Sequence, residues 1–309
     1  MTLETKIKVV GVGGSGGNAI SRMAKCKIKG VELIAVNADV QDLQRTRAHQ
    51  KIRIGKQLTK GLGTGMNPEI GKRAAEEQKE EIKEKLSGAD MVFVTCGLGG
   101  GCGSGAAPVV TEIAREIGAL TIAVVTKPFS FEGLLRKEIA EKALKKLKER
   151  ADTLISISND KLFSILEPNT TLLNAFWVCD EILRQAVQGI SDLIVLPGII
   201  NIDLADVKSI MKNSGSALFG IGKARGPERA KEAARKALNS PLLDVSCKGA
   251  KGVLFNVSGG KDISLSEVDE VAKIITQEIS PEAKVIFGAI QDEKLKKGEI
   301  KVTVIATGF

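Results

Sequence analysis

Apolar positions in the first half of the chain come in short unbroken runs, separated by segments with helical spacing. IKVVGVG (7–13), VELIAVNA (31–38), MVFVTC (91–96) and ALTIAVVTKPF (119–129) read as strands without in–out alternation. Between them, a helix near Asn18–Ala24, NPEIGKRAAEEQKEEIKEKL (67–86) with Pro68 in its first turn, and APVVTEIAREIG (107–118) carry helical spacing. Strands apolar on both sides and alternating with helices predict an α/β fold, a Rossmann-like parallel sheet covered on both faces.

The rhythm then changes. TLLNAFWVCDEILRQAVQGISDLIVL (171–196) is a helical pattern about twice the usual length, with no internal proline. PGIINIDLADV leads into another helix. GSALFGIGKA, a helix over 227–238, KGVLFNVSG, SLSEVDEVAKIITQEI, AKVIFGAI and IKVTVIATG then make a second α/β domain. The expected organisation is a nucleotide domain over 1–170, a central helix and connecting loop over 171–202, and a second domain over 203–309.

Composition narrows the function classes. The chain of 309 residues is 43% hydrophobic and 27% charged, as in a folded globular protein. No apolar run reaches the length of a membrane span, and MTLETK does not read as a signal peptide. The five cysteines show no C-x-x-C spacing, so reduced thiols and a cytoplasmic setting are expected rather than a disulfide or zinc framework. The formal charge is +8, but the basic segment RKEIAEKALKKLKER (136–150) keeps Ile139, Ala143, Leu144 and Leu147 on one face. Its lysines read as a solvated face, and with 3% aromatic residues a nucleic-acid partner is not expected. The single histidine, His49, argues against Ser–His or Cys–His catalysis.

Candidate chemistry sits in glycine-dense segments. GLGGGCGSG (97–105) follows a strand and precedes a helix, and it lacks the lysine of a P-loop. GVGGSGGNAI (11–20) is placed the same way, and Gly11, Gly13 and Gly16 satisfy G-x-G-x-x-G, with Asp39 near the end of the next strand. That pattern alone also fits a nicotinamide or flavin site, or a tight turn with no ligand. Two such loops at strand carboxyl ends, each at a helix N-terminus, suit a triphosphate better than one pyrophosphate. KGLGTGMNPEIG (60–71) has the same design.

GGGCGSG resembles the tubulin signature G-G-G-T-G-S/T-G. GVGGSGGNAI, GLGTGMNPEIGKRAAEE, TKPFSFEGLLR, LNAFWVCDEILRQAVQGISDLI, PGIINIDLADV, SPLL and VTVIATGF extend the resemblance to the tubulin/FtsZ family over essentially the whole chain. The resemblance implies a GTPase that polymerises head-to-tail, in the prokaryotic branch as the division ring, with GTP or GDP and Mg²⁺ bound. It places Gly14, Ser15, Gly16, Gly17 and Asn18, together with Gly101, Cys102 and Gly103, at the phosphates and ribose. Glu132 and Arg136 fall in the ribose and phosphate region. Phe176 would stack on guanine, Asp180 would accept from its N1–H and amino group, and Asn159 is a second candidate for the base pocket. Asp203 and Asp206 match the family's paired catalytic acids, acting on the nucleotide of the next subunit; N-capping of the following helix is the plainer role for either.

Three departures bear on function. Cys102 stands where the family usually has threonine, and a thiol beside helix-terminal donors is expected to have a lowered pKa. The charge of +8 is unusual for an acidic family. The sequence stops at Phe309, where family members commonly continue into a flexible linker and a short anchor-binding peptide; either it is trimmed or that contact is missing, and division-protein partners remain possible. A GTP-dependent structural filament with negligible turnover and a nicotinamide-dependent oxidoreductase remain the alternatives.

Overall fold

Six strands pair in parallel in the N-terminal part of the computed structural model, which describes residues 5–164, 166–167, 169–196, 198–239, 247–292 and 295–309. The chain divides into two units, Met1–Ser191 and Asp192–Phe309. The first runs β1 (Ile7–Val12), α1 (Gly13–Lys25), β2 (Val31–Asn37), α2 (Val40–Arg45), β3 (Gln50–Arg53), α3 (Pro68–Glu77) and α4 (Lys79–Leu86). It continues through β4 (Met91–Gly97), α5 (Gly101–Glu116), β5 (Leu120–Lys127), α6 (Leu134–Arg150), β6 (Thr153–Ser158) and α7 (Leu172–Val195), whose last turn enters the second unit. Short 3-10 turns lie at Ser130–Glu132 and Asn159–Ser164.

The strand order is β3-β2-β1-β4-β5-β6. Ile7 of β1 is paired with Val31 on one side and Met91 on the other, so the order reverses between β1 and β4. At that switch point both neighbouring strands run into helices at their carboxyl ends, which opens a crevice. Val10, Val12, Val92 and Val94 of the central strands pack with Ala106, Val110 and Ile113 of α5 in one apolar cluster.

Three expectations need correction. Two of the three glycine-dense segments run directly into helix rather than forming loops: α1 begins at Gly13 and α5 at Gly101. Their glycines serve close approach, since a Cβ on Gly16 would lie 2.6 Å from the Thr95 carbonyl and one on Gly105 2.0 Å from that of Pro68. The helix expected over 67–86 is two helices, broken at Gln78 (φ −108°, ψ 26°), whose side chain turns back to accept from the Gly55 N–H. Finally, α2, β3 and β6 form where the apolar pattern alone had indicated nothing.

The second unit comprises α8 (Leu204–Met211), β7 (Gly215–Arg225), α9 (Arg229–Leu238), β8 (Gly252–Gly259), α10 (Leu265–Gln277), β9 (Lys284–Gln291) and β10 (Glu299–Thr307). Its strands lie in the order β7-β10-β8-β9, with β10 antiparallel to both neighbours and β8 parallel to β9. The alanine face of α9 (Ala230, Ala233, Ala234, Ala237) packs into a cluster with Val253, Phe255, Val302 and Val304. The SPLL segment and Pro197 of PGIINIDLADV lie outside the described residues.

Candidate functional site

The crevice at the switch point is a cleft of about 410 Å³. Gly13, Gly14 and Ser15 of α1 form one wall, and Gly100, Gly101, Cys102 and Gly103 form the next. The walls meet closely, because a Cβ on Gly13 would sit 3.0 Å from the Gly103 nitrogen. Neither α1 nor α5 has a side-chain cap or an acidic residue in its first turn. By contrast, Asp39 caps α2, Asn67 caps α3 and Ser264 caps α10. The two helices that open on the cleft therefore leave their first N–H groups for an external acceptor, with both macrodipoles favouring an anion.

The third glycine segment enters differently. Leu62, Gly63, Thr64 and Gly65 line the cleft through a turn with positive φ at Lys60, Gly61, Gly63, Gly65 and Met66. The side chain of Asn67 accepts from the Glu69 N–H at 2.9 Å, so α3 is capped from within the chain and this segment acts as a rim.

An acidic corner at the end of β2 was only partly legible. Asp39 accepts from the Asp42 N–H at 3.1 Å, Asp42 accepts from the Asn37 amide at 2.9 Å, and Asn37 accepts from the Asp39 N–H at 3.1 Å. All three residues line the cleft. Asn37 and Asp42 were missed; the acid three residues after a capping aspartate was the available sign. The expectation for Cys102 is overturned: desolvation, with smaller additions from the Asp42 and Asp39 charges, pushes its thiol up to about 11.

At the opposite end, Glu132 accepts from the Phe129 N–H at 2.9 Å and pairs with Arg136 at 3.2 Å. Phe176 lines the cleft and meets Phe129 edge-on with centroids 5.5 Å apart. Asn159 is buried, and its Oδ1 has no hydrogen-bond partner. Asp180 is 7% exposed, and burial raises its carboxyl to about 6 against the pull of Arg22, whose Nε lies 3.4 Å away. Cys179 beside it also lines the cleft, with its thiol pushed up to about 12 by burial.

Of the candidate residues, the cleft thus gathers Gly14, Ser15, Gly101, Cys102, Gly103, Glu132, Arg136, Asn159, Phe176 and Asp180. Gly16 and Gly17 are buried behind it, against the Thr95 carbonyl and the Thr46 hydroxyl, and Asn18 is exposed and outside the lining. Asp203 and Asp206 belong to the second unit and are not lining residues. Asp203 is exposed at the N-cap of α8, and the two side chains accept reciprocally from each other's N–H groups. Among the described residues no three acidic, cysteine or histidine side chains form a metal cage, and no helix is long and apolar enough to cross a membrane.

Comparisons with known proteins bear on these features. Residues 6–167 match the profile of the Tubulin/FtsZ family GTPase domain, and residues 215–309 that of the FtsZ family C-terminal domain. Over 306 residues the chain is 53% identical to cell division protein FtsZ 1 of Thermococcus kodakarensis, covering 99% of this chain and 81% of that protein. The solved FtsZ dimer of M. jannaschii is 50% identical and superposes with a TM-score of 0.95, covering all of this chain and 89% of that one. CetZ2 of Haloferax volcanii, solved as a GTPγS-bound protofilament, shares the fold at 22% identity with a TM-score of 0.83, covering 98% of this chain and 92% of that one.

Proposed function

Because the chain belongs to the tubulin/FtsZ family of cytoskeletal GTPases, we propose that the switch-point cleft is where it binds GTP, with the phosphates at α1 and α5 and guanine at Phe176 and Asp180. The observation that carries this reading is the pair of uncapped helix N-termini converging on one cleft whose other end holds a buried carboxylate. A carboxylate accepts from both guanine donors, N1–H and the amino group, whereas adenine would present a lone pair at N1. The unpartnered Oδ1 of Asn159 adds a second acceptor for the base or ribose. The nicotinamide alternative is set aside: the family is a GTPase family, and Asp39, its ribose candidate, is committed to capping α2.

Phosphate is held by backbone amides, so the side chain at position 102 contributes little to affinity. Asp39, Asp42, Glu132 and Asp180 line the cleft against one cation, Arg136. A triphosphate therefore enters with a divalent counter-ion. Mg²⁺ fits this charge balance: with no cage among the described residues it would be held mainly by phosphate oxygens and water, and the cleft carboxylates Asp39 and Asp42 could hold its water. When bound, it neutralises charge developing on the transferred phosphoryl group.

Asp203 and Asp206 are assigned to hydrolysis in the neighbouring subunit, where they would orient and polarise the attacking water. Head-to-tail contact of two different surfaces gives an open filament when its rotation does not close, and CetZ2 was solved as a protofilament. A role in cell division follows the name of the Thermococcus relative. Sedimentation and phosphate release with GTP, GDP and ATP test the reading. Pelleting with GTP and hydrolysis selective for GTP are expected; equal turnover of ATP would overturn the assignment of the base pocket.

A further inference from the structure

Arg22 reaches from α1 to the first turns of α7. Its guanidinium carbon lies 4.7 Å from the centroid of the Trp177 ring, and its Nε lies 3.4 Å from Oδ2 of Asp180. Trp177 and Asp180 are i and i+3 on one helix, so a single guanidinium can span both. Phe176 and Asp180, at i and i+4, both line the cleft, whereas Arg22 does not. The cation thus reaches the carboxylate without itself lining the cleft. The pair is sheltered, with side-chain exposures of 22% for Arg22 and 10% for Asp180, so water screens it weakly.

We propose that Arg22 is the positioning residue of base recognition: seated on Trp177, it keeps the Asp180 carboxylate ionised and aimed into the cleft. The proposal rests on Asp180 being the guanine contact. A protonated Asp180 would turn an O–H toward two guanine donors and lose an acceptor. Burial drives the group that way, and Arg22 opposes it. The other groups near Asp180 offer no substitute. On α7, Cys179 is held neutral and Glu181 is paired with Arg184, while Glu132 from the 130–132 turn is paired with Arg136.

The carboxyl of Asp180 stands at about 6 with Arg22 in place, and without Arg22 burial acts alone and moves it higher. Guanine binding needs the carboxylate, so affinity is full above that value and falls about tenfold per pH unit below it. Loss of Arg22 shifts the fall to higher pH.

The test measures GTP affinity of the full chain from about pH 5.5 to about pH 8.5 for wild type, Arg22→Met, Arg22→Lys and Asp180→Ala. Emission of Trp177, the only tryptophan in the sequence, gives a second readout. Arg22→Met is expected to bind roughly tenfold more weakly near pH 7 and to recover most of the loss at the alkaline end, with Arg22→Lys close to wild type. A pH midpoint in Arg22→Met equal to that of wild type overturns the proposal, whatever happens to its thermal stability. Asp180→Ala separates the two levels: weak binding at every pH supports the guanine contact, and wild-type binding removes that reading itself.

Discussion

Asp203 and Asp206 hold each other in place: Asp203 Oδ1 accepts from the Asp206 N–H at 2.8 Å, and Asp206 Oδ2 accepts from the Asp203 N–H at 3.3 Å. Each carboxylate spends one oxygen on the start of α8 and keeps the other. Capping and catalysis are therefore compatible, and substitution can separate them. Asparagine caps a helix about as well as aspartate but carries no charge. Asp203→Asn is expected to leave the thermal midpoint within a few degrees of wild type while hydrolysis falls roughly 10²–10³-fold. Normal turnover in a stably folded Asp203→Asn protein would leave capping as its whole role.

Burial makes the ionised form of Asp180 costly. Its folded value of about 6 lies above the ordinary 3.8, so its contribution to stability declines as pH rises through that interval. Asp180→Asn removes the buried charge in a side chain of similar shape. Without nucleotide it should be more stable than wild type near pH 8, by up to about 3 kcal/mol, and the advantage should vanish toward pH 4. Denaturant melts at both pH values check this; a variant less stable at pH 8 would contradict it.

Cys102 should be quiet toward alkylation. A thiol at about 11 is ionised to roughly one part in a thousand at pH 8, and the thiolate is the nucleophile. Iodoacetamide is expected to label the exposed Cys26 well before Cys102. Asp42→Asn removes one of the charges that raise the thiol, so it should speed labelling at position 102. Peptide mapping by mass spectrometry reads both rates, and fast labelling of Cys102 in the wild type would contradict the half-buried, acid-flanked placement.

Gly105 tests why the second signature is so rich in glycine. A Cβ there would lie 2.0 Å from the Pro68 carbonyl and 2.8 Å from the Lys72 nitrogen, both rigid backbone atoms of neighbouring α3. Gly105→Ala should force α3 and α5 apart and cost about 1–3 kcal/mol or more, seen as a lower denaturation midpoint. Gly100→Ala is the control, because nothing lies within 4 Å of its Cβ position and its φ is −97°.

Those glycines also mark where sequence reading stopped. Dense glycine pointed to backbone that must approach something closely, and that was right; the partner at Gly16 and Gly105 is another part of the chain, inside a helix. No local pattern carries that information, because the opposing Thr95 and Pro68 carbonyls are brought there by the sheet and by α3. The strands β1, β2, β4 and β5 and the long α7 were legible because burial on both faces or helical period is written locally. Short β3 and the break at Gln78 were not, since they depend on a sheet edge and on one side chain reaching Gly55. The candidate residues came through motif order; Asn37 and Asp42 lie outside those motifs, and the spacing of Asp42 from the capping Asp39 was their one local sign.

The remaining prediction concerns where hydrolysis takes place. The cleft is lined by first-unit residues, and Asp203 and Asp206 are not among them. If the acids act on a neighbour's nucleotide, isolated subunits lack part of the site, and GTPase activity per subunit should rise with protein concentration. Asp206→Ala should bind GTP and assemble while hydrolysing it roughly 10²–10³-fold more slowly. The decisive experiment mixes it with Asp180→Ala, which lacks the base contact but keeps its acids. Alone, neither protein pairs a sound pocket with a sound acid loop at any interface. In an equal mixture, about one interface in four should join the pocket of Asp206→Ala to the acids of Asp180→Ala if the contact is heterologous. Phosphate release should then exceed the sum of the two proteins measured separately, and it should fall when the mixture is diluted below its assembly range. Activity per subunit that stays flat with concentration, together with a mixture that merely adds, would place the acids in the service of their own chain's nucleotide.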